Sequence, residues 1–164
     1  GSKESSLITQ PINTTFIQIK IGFKLNADKD GWTPFYSACG NGYIEIIKLL
    51  LNDQRVDINK ASNDGWTPFY SACCNGHTEI VRLLCGVVDI NKASNNGRTP
   101  FLAACYYGQT EVVKYLLESG REIDINKKDN DGKTGLDYAK QKGKTAIVKL
   151  IESFQKRIEN GKKK

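Results

Sequence analysis

Apolar residues recur along this chain in short helical stripes separated by turn signals. Between Pro68 and Cys74, Phe69, Ala72 and Cys73 fall at i, i+3 and i+4, which puts them on one face of a helix of about two turns. Asn75-Gly76 closes that segment, glycine being the usual residue just past a helix end. A second stripe follows from about Thr78 to Cys85, with Ile80, Val81, Leu83 and Leu84 inward and Arg82 outward. Glu79 stands in its first turn, where the helix dipole favours negative charge. Ahead of the pair, Asn63-Asp64-Gly65 marks a turn, because glycine and Asn/Asp tolerate positive φ. Thr67-Pro68 then opens the first helix, threonine as a cap and proline where a missing N–H costs nothing. Val88-Asp89-Ile90-Asn91 leads out extended.

The same plan repeats. Ile44, Ile46, Ile47, Leu49, Leu50 and Leu51 match the second stripe in one neighbour, and Val112, Val113, Tyr115, Leu116 and Leu117 match it in the other. The extended exits are Val56-Asp57-Ile58-Asn59 and Ile123-Asp124-Ile125-Asn126, and length differences fall just before them. The phrase Trp-Thr-Pro-Phe-Tyr-Ser-Ala-Cys occurs at 32–39 and 66–73, is varied over 98–105, and fades over 133–140. The glycines that open the units, Gly31, Gly65, Gly97 and Gly132, are spaced by 34, 32 and 35 residues. A period in this range predicts an all-α repeat solenoid held together by contacts between neighbouring units. Helical pairs this short cannot bury their own apolar faces. Ala38-Cys39, Ala72-Cys73 and Ala104-Cys105 supply the small residues that let helices approach closely, so these cysteines read as packing residues.

Gly65-Trp66-Thr67-Pro68-Phe69-Tyr70-Ser71-Ala72 and Gly76-His77-Thr78-Glu79-Ile80-Val81-Arg82-Leu83-Leu84 resemble the ankyrin repeat almost residue for residue. The resemblance runs from about Leu25 to Ile151 and implies stacked helix-turn-helix repeats with projecting β-hairpin fingers. It places repeats at 28–61, 62–93, 94–128 and 129–155, the last as a C-terminal cap, and leaves 156–164 as a basic tail. A disordered tag or N-terminal segment is expected over 1–9 and a degenerate half-repeat or cap over 10–27. A strand over Ile17–Ile21 is the alternative there. The histidine usual in the family after Pro-Leu is replaced by Tyr36, Tyr70, Leu102 and Asp137, which is expected to alter the hydrogen bonding that links units. In the last unit Gly135 replaces proline, Lys140 replaces the small apolar residue, and Glu152 stands where Leu51 and Leu117 stand elsewhere. Polar residues on an outer face are what a terminal cap needs. The last helix is expected to extend to about Ile158.

Charge and cysteine count change the picture little. The net charge is +6, but residues 156–164 hold five basic side chains against Glu159, a net +4, so the repeats are near neutral. Nucleic-acid binding would need a basic face along the repeats, and only the tail offers one. Five cysteines are an odd number, with three at one repeat-equivalent place, which fits free thiols in a reducing compartment rather than a disulfide framework. Cys73, Cys74 and His77 lie close together, yet no second Cys or His pair stands at zinc-finger spacing, so no metal and no cofactor is expected. No stretch approaches a bilayer-crossing apolar run, and no secretory signal opens the chain. Gly1-Ser2 reads as an expression scar, and with it the chain as a fragment of a larger protein. His77, the only histidine, reads as a local structural hydrogen bonder at the head of a helix. No phosphate loop, nucleophile elbow, zincin motif or calcium loop is present, so an enzyme is not expected.

The resemblance implies a binding scaffold, with function on the exposed surface. Fingers and first helices would line a concave groove. The residue after each turn glycine, Trp32, Trp66, Arg98 and Lys133 in order, would face it, joined by Tyr106 and Tyr107 and by the fingertip residues Asn63, Asp64, Asn95 and Asn96. Trp, Tyr and Arg dominate binding hot spots. Such a groove, aromatic at one end and basic at the other, suits a protein or peptide with an apolar anchor and acidic residues. The expected protein is a monomeric, cytoplasmic or nucleoplasmic interaction module. The alternatives are a regulatory fragment whose active domain lies elsewhere, and nucleic-acid contact through the tail.

Overall fold

The computed structural model describes residues 26–163. The expectations for 1–9 and for most of 10–27 therefore fall outside the described residues. Within them the chain forms four helix pairs. The first helices are α1 (Pro34–Asn41), α3 (Pro68–Cys74), α5 (Pro100–Tyr107) and α7 (Gly135–Gln141). The second helices are α2 (Ile44–Leu51), α4 (Thr78–Leu84), α6 (Thr110–Glu118) and α8 (Thr145–Lys162). Each first helix starts where the threonine before it accepts a hydrogen bond from a first-turn amide. Thr33, Thr67 and Thr99 take the amides of Tyr36, Tyr70 and Leu102, with proline at the first helical position. In the last unit Asp137 reaches back to the Thr134 amide at 2.9 Å, completing a reciprocal capping box that stands in for the missing proline.

First helices stack on first helices and second on second, from one unit to the next. The shared interior holds Phe35, Phe69 and Phe101, the thiols Cys39, Cys73 and Cys105, and Ile47, Val81, Leu84, Val113 and Leu116, all buried. All five cysteines are free. Burial pushes the Cys39 thiol up to about 12 and raises those of Cys73 and Cys105 as well, so these side chains behave as small apolar groups.

The fingers are tight turns, and no strand occurs among the described residues. Each is closed by main-chain bonds such as Ser62 N–H to the Trp66 carbonyl and Gly65 N–H to the Ser62 carbonyl, both 2.9 Å. Gly65 has φ +79°, and a Cβ there would strike the Asn95 side chain of the next finger, so glycine is needed for conformation and for clearance. Adjacent fingers are tied by an asparagine ladder. Asn63 donates from Nδ2 to the Lys29 carbonyl at 2.9 Å, Asn95 to that of Asn63 at 3.0 Å, and Asn130 to that of Asn95 at 3.1 Å.

A second set of ties joins the bases of the pairs. His77 Nε2 lies 2.8 Å from the Gly40 carbonyl, and Gln109 Nε2 donates to the Cys74 carbonyl at 2.7 Å. The histidine is thus structural, but its bond spans two units rather than staying local. At the C-terminal end Lys140 pairs with Glu152 at 3.4 Å on the face where other units continue the stack. At the opposite end Ile46 is 43 % exposed, whereas its counterparts Ile80, Val112 and Ile147 are buried. Helix α8 runs to Lys162, beyond the expected stop near Ile158. Its later turns are polar and exposed, and no proline interrupts them.

Candidate functional site

The column of residues that follow the turn glycines is built identically four times, because each follows a positive-φ glycine and precedes a capping threonine. Its members are treated differently by their surroundings. Trp32 is 42 % exposed and leans on Tyr36 of its own first helix, with ring centroids 5.5 Å apart. Trp66 is half-buried and stacks on Tyr70 at 6.0 Å and 15°. Neither indole is sealed within the stack.

Beside Trp66 lies a cavity of about 210 Å³ contributed by three successive units. Tyr36 comes from the first, Trp66, Tyr70, Ser71 and Cys74 from the second, and Tyr107 from the third. Its origin is a substitution within the repeat. The third unit carries Tyr106 where the first two carry Gly40 and Cys74, and the small residues leave the space open. Gly40 also permits close helix approach, since a Cβ there would meet Ser71 Oγ at 2.6 Å. Burial raises the hydroxyls of Tyr36 and Tyr70 and pushes the Cys74 thiol up to about 12. All three are therefore uncharged at neutral pH, and the cavity presents aromatic faces with neutral polar edges. Tyr107 is 53 % exposed at its rim.

Arg98 belongs to a different arrangement. Its guanidinium lies 4.5 Å from the Tyr106 ring centroid and 5.2 Å from that of Tyr138. Its Nε pairs with Asp129 Oδ2 at 3.3 Å, and Asp129 is 1 % exposed in its side chain. Tyr138 donates its hydroxyl to the same carboxylate oxygen at 2.6 Å, while Oδ1 accepts the amides of Asp131 and Lys133 at 3.0 and 3.1 Å. Burial works to raise the Asp129 carboxyl, but the bonds from Tyr138, Lys133, Arg98 and Asp131 outweigh it and hold it below the usual range. Arg98 thus joins the third and fourth units, its charge largely engaged within the fold.

Further along, Lys142 Nζ sits 4.0 Å from the Tyr106 centroid, and Lys133 Nζ sits 5.3 Å from that of Tyr138 and 2.9 Å from Gln141 Oε1. Neither lysine makes an ion pair among the described residues. Tyr106 and Tyr107 lie edge to face at 5.0 Å, so an aromatic row links the cavity to these lysines. Of the fingertip candidates, Asn63 and Asn95 commit their side chains to the inter-finger ladder, while Asp64 and Asn96 are exposed. Of the expected column, only Trp66 lines the cavity with Tyr107, while Trp32 rests on Tyr36, and Arg98 and Lys133 lie with Tyr138; Tyr36, Tyr70 and Cys74, which the sequence pattern did not single out as site residues, complete the cavity. The signal for Cys74 was one repeat position that is small in the first two units, Gly40 and Cys74, and large in the third, Tyr106.

Among the described residues no three metal-ligating side chains converge, and no helix is long and apolar enough to cross a membrane. Stacked helical pairs, tied turn to turn and exposing one face of fingers and first helices, define an all-α repeat solenoid. The family model for ankyrin repeats (three copies) matches over residues 12–94 and again over 86–161, and the chain belongs to the ankyrin repeat family. A search of curated proteins finds no match. Ankyrin repeats are in general protein–protein interaction units rather than catalysts.

Proposed function

We propose that this chain is a non-catalytic interaction module that binds a protein or peptide along the face formed by its turn fingers and first helices. The observation that carries the reading is the placement of aromatic side chains. Trp32 and Tyr107, two of the few large hydrophobic side chains left exposed, stand on that face, with a side-chain-sized cavity between their units. Exposed aromatics beside a concavity are the usual anchors of an interface. The one histidine is engaged with a main-chain carbonyl, as a structural tie between units. Five free thiols, raised by burial, suit a reducing compartment such as the cytoplasm or nucleoplasm.

The test is affinity capture from native lysate with the wild-type chain and with a Trp32→Ala/Tyr107→Ala double variant. Both residues are exposed, so folding is expected to be spared. Selective loss of captured proteins supports the reading. Capture that is the same with both chains refutes it.

A further inference from the structure

The cavity and the two unpaired lysines together narrow the kind of segment this face accepts. We infer that the occupant is an acidic peptide segment that seats one aliphatic or aromatic side chain in the Tyr36–Trp66–Tyr70–Tyr107 cavity and places a carboxylate at Lys142. The inference rests on the groove reading given above.

Size comes first. At about 210 Å³ the cavity is smaller than the few hundred Å³ of a small-molecule site, and it matches a single side chain. Charge comes second. The cavity walls are neutral at physiological pH, and Arg98 stands close enough to act electrostatically on Tyr70 and Cys74. Arg98 is compensated by Asp129, but Lys142 and Lys133 make no ion pair among the described residues and favour an acidic occupant. On the other side, Asp64 acts electrostatically on Tyr36.

Spacing comes third. The Tyr107 and Tyr106 rings are 5.0 Å apart and Lys142 Nζ is 4.0 Å beyond, so the ammonium lies within about three extended residues of the cavity rim. Lys133 lies further on, over Tyr138, which Tyr106 meets edge to face at 5.0 Å. Both lysines are held against aromatic rings, which reduces the rotamer entropy they would lose on pairing with a ligand carboxylate.

The experiment is selection from a displayed library of random linear peptides on the whole chain, followed by titration of the enriched peptides using tryptophan emission. Both tryptophans, Trp32 and Trp66, report from this face. Enriched sequences are expected to carry a large apolar residue with Asp or Glu within about three positions. Cys74→Tyr fills the cavity with the residue type that the third unit already accommodates at Tyr106, and it is expected to weaken binding by about tenfold or more. Lys142→Glu, at an exposed position, is expected to do the same and to select basic peptides in place of acidic ones. Should Cys74→Tyr fail to fold, Tyr107→Ala at the rim tests the same contact.

Peptides without acidic residues, or peptides indifferent to the cavity and lysine variants, overturn the inference. If such peptides still lose binding in the Trp32→Ala/Tyr107→Ala chain, the groove reading survives alone. Enriched peptides indifferent to every variant, or no enrichment at all, overturn both.

Discussion

Replacing Asp129 by alanine removes four hydrogen bonds to one buried carboxylate. Tyr138 donates at 2.6 Å, Arg98 at 3.3 Å, and the amides of Asp131 and Lys133 at 3.0 and 3.1 Å. Each bond to a charged group contributes about 1.5–3 kcal/mol when its partner is left buried and unmet. Water takes over part of that loss here, because Arg98 is 21 % exposed in its side chain and the turn amides are only partly buried. Tyr138, 5 % exposed, loses its shortest bond. A net destabilisation of about 3 kcal/mol is expected for Asp129→Ala, and roughly half of that for Asp129→Asn, which keeps an oxygen for the turn amides.

The assay is urea unfolding followed by circular dichroism and tryptophan fluorescence together. Stability in a solenoid is a sum over neighbouring contacts, so the fourth unit should melt first while Trp32 and Trp66, in the first two units, report a later transition. A loss below about 1 kcal/mol would refute the reasoning, since that is the worth of an ordinary surface pair. The pH dependence is a second check. The folded carboxyl is held below its ordinary value of about 3.9, so its contribution is complete above that value and is lost as pH falls through the lowered folded one. The gap between wild type and Asp129→Asn should be flat from about pH 5 to 8 and shrink below about pH 4.

Other consequences are as direct. Lys140→Ala with Glu152→Leu rebuilds the apolar end face that internal units carry, and light scattering should show stronger concentration-dependent association than for the wild-type chain. Ser94 Oγ is buried with no hydrogen-bond partner among the described residues, so Ser94→Ala should be neutral or stabilising by up to about 1 kcal/mol in thermal unfolding. The thiols should resist iodoacetamide at pH 7.5 in the native chain, because burial has pushed Cys39 and Cys74 up to about 12 and leaves little thiolate, and all five should react in guanidinium.

The helices were legible from residue pattern because the signals are local. Thr67-Pro68 opens α3, and Asn75-Gly76 ends it, within a few positions of each other. The stacking followed from the period. What stayed hidden depends on contacts between units. Arg98 reads as a free groove residue until Asp129 and Tyr138, 31 and 40 positions away, are seen to hold it. Asn63 and Asn95 read as turn residues free to meet a partner, yet their side chains face the previous finger. His77 was identified as structural, but the carbonyl it meets lies 37 positions back. The cavity is hard to read from one unit because its space comes from small residues, Gly40 and Cys74, where Tyr106 stands in the third unit, and its walls come from three units.

The asparagine ladder has an evolutionary corollary. In each rung the giver is the newcomer's own side chain, whereas the receiver is a peptide oxygen, present whatever residue its predecessor carries there. A copied segment that brings one such asparagine is therefore equipped to dock behind any existing member that keeps its turn glycine, with no further matched mutation in it. Lengthening by tandem duplication is chemically ready-made, and the residues that shape the ligand-facing cavity remain free to diverge afterwards.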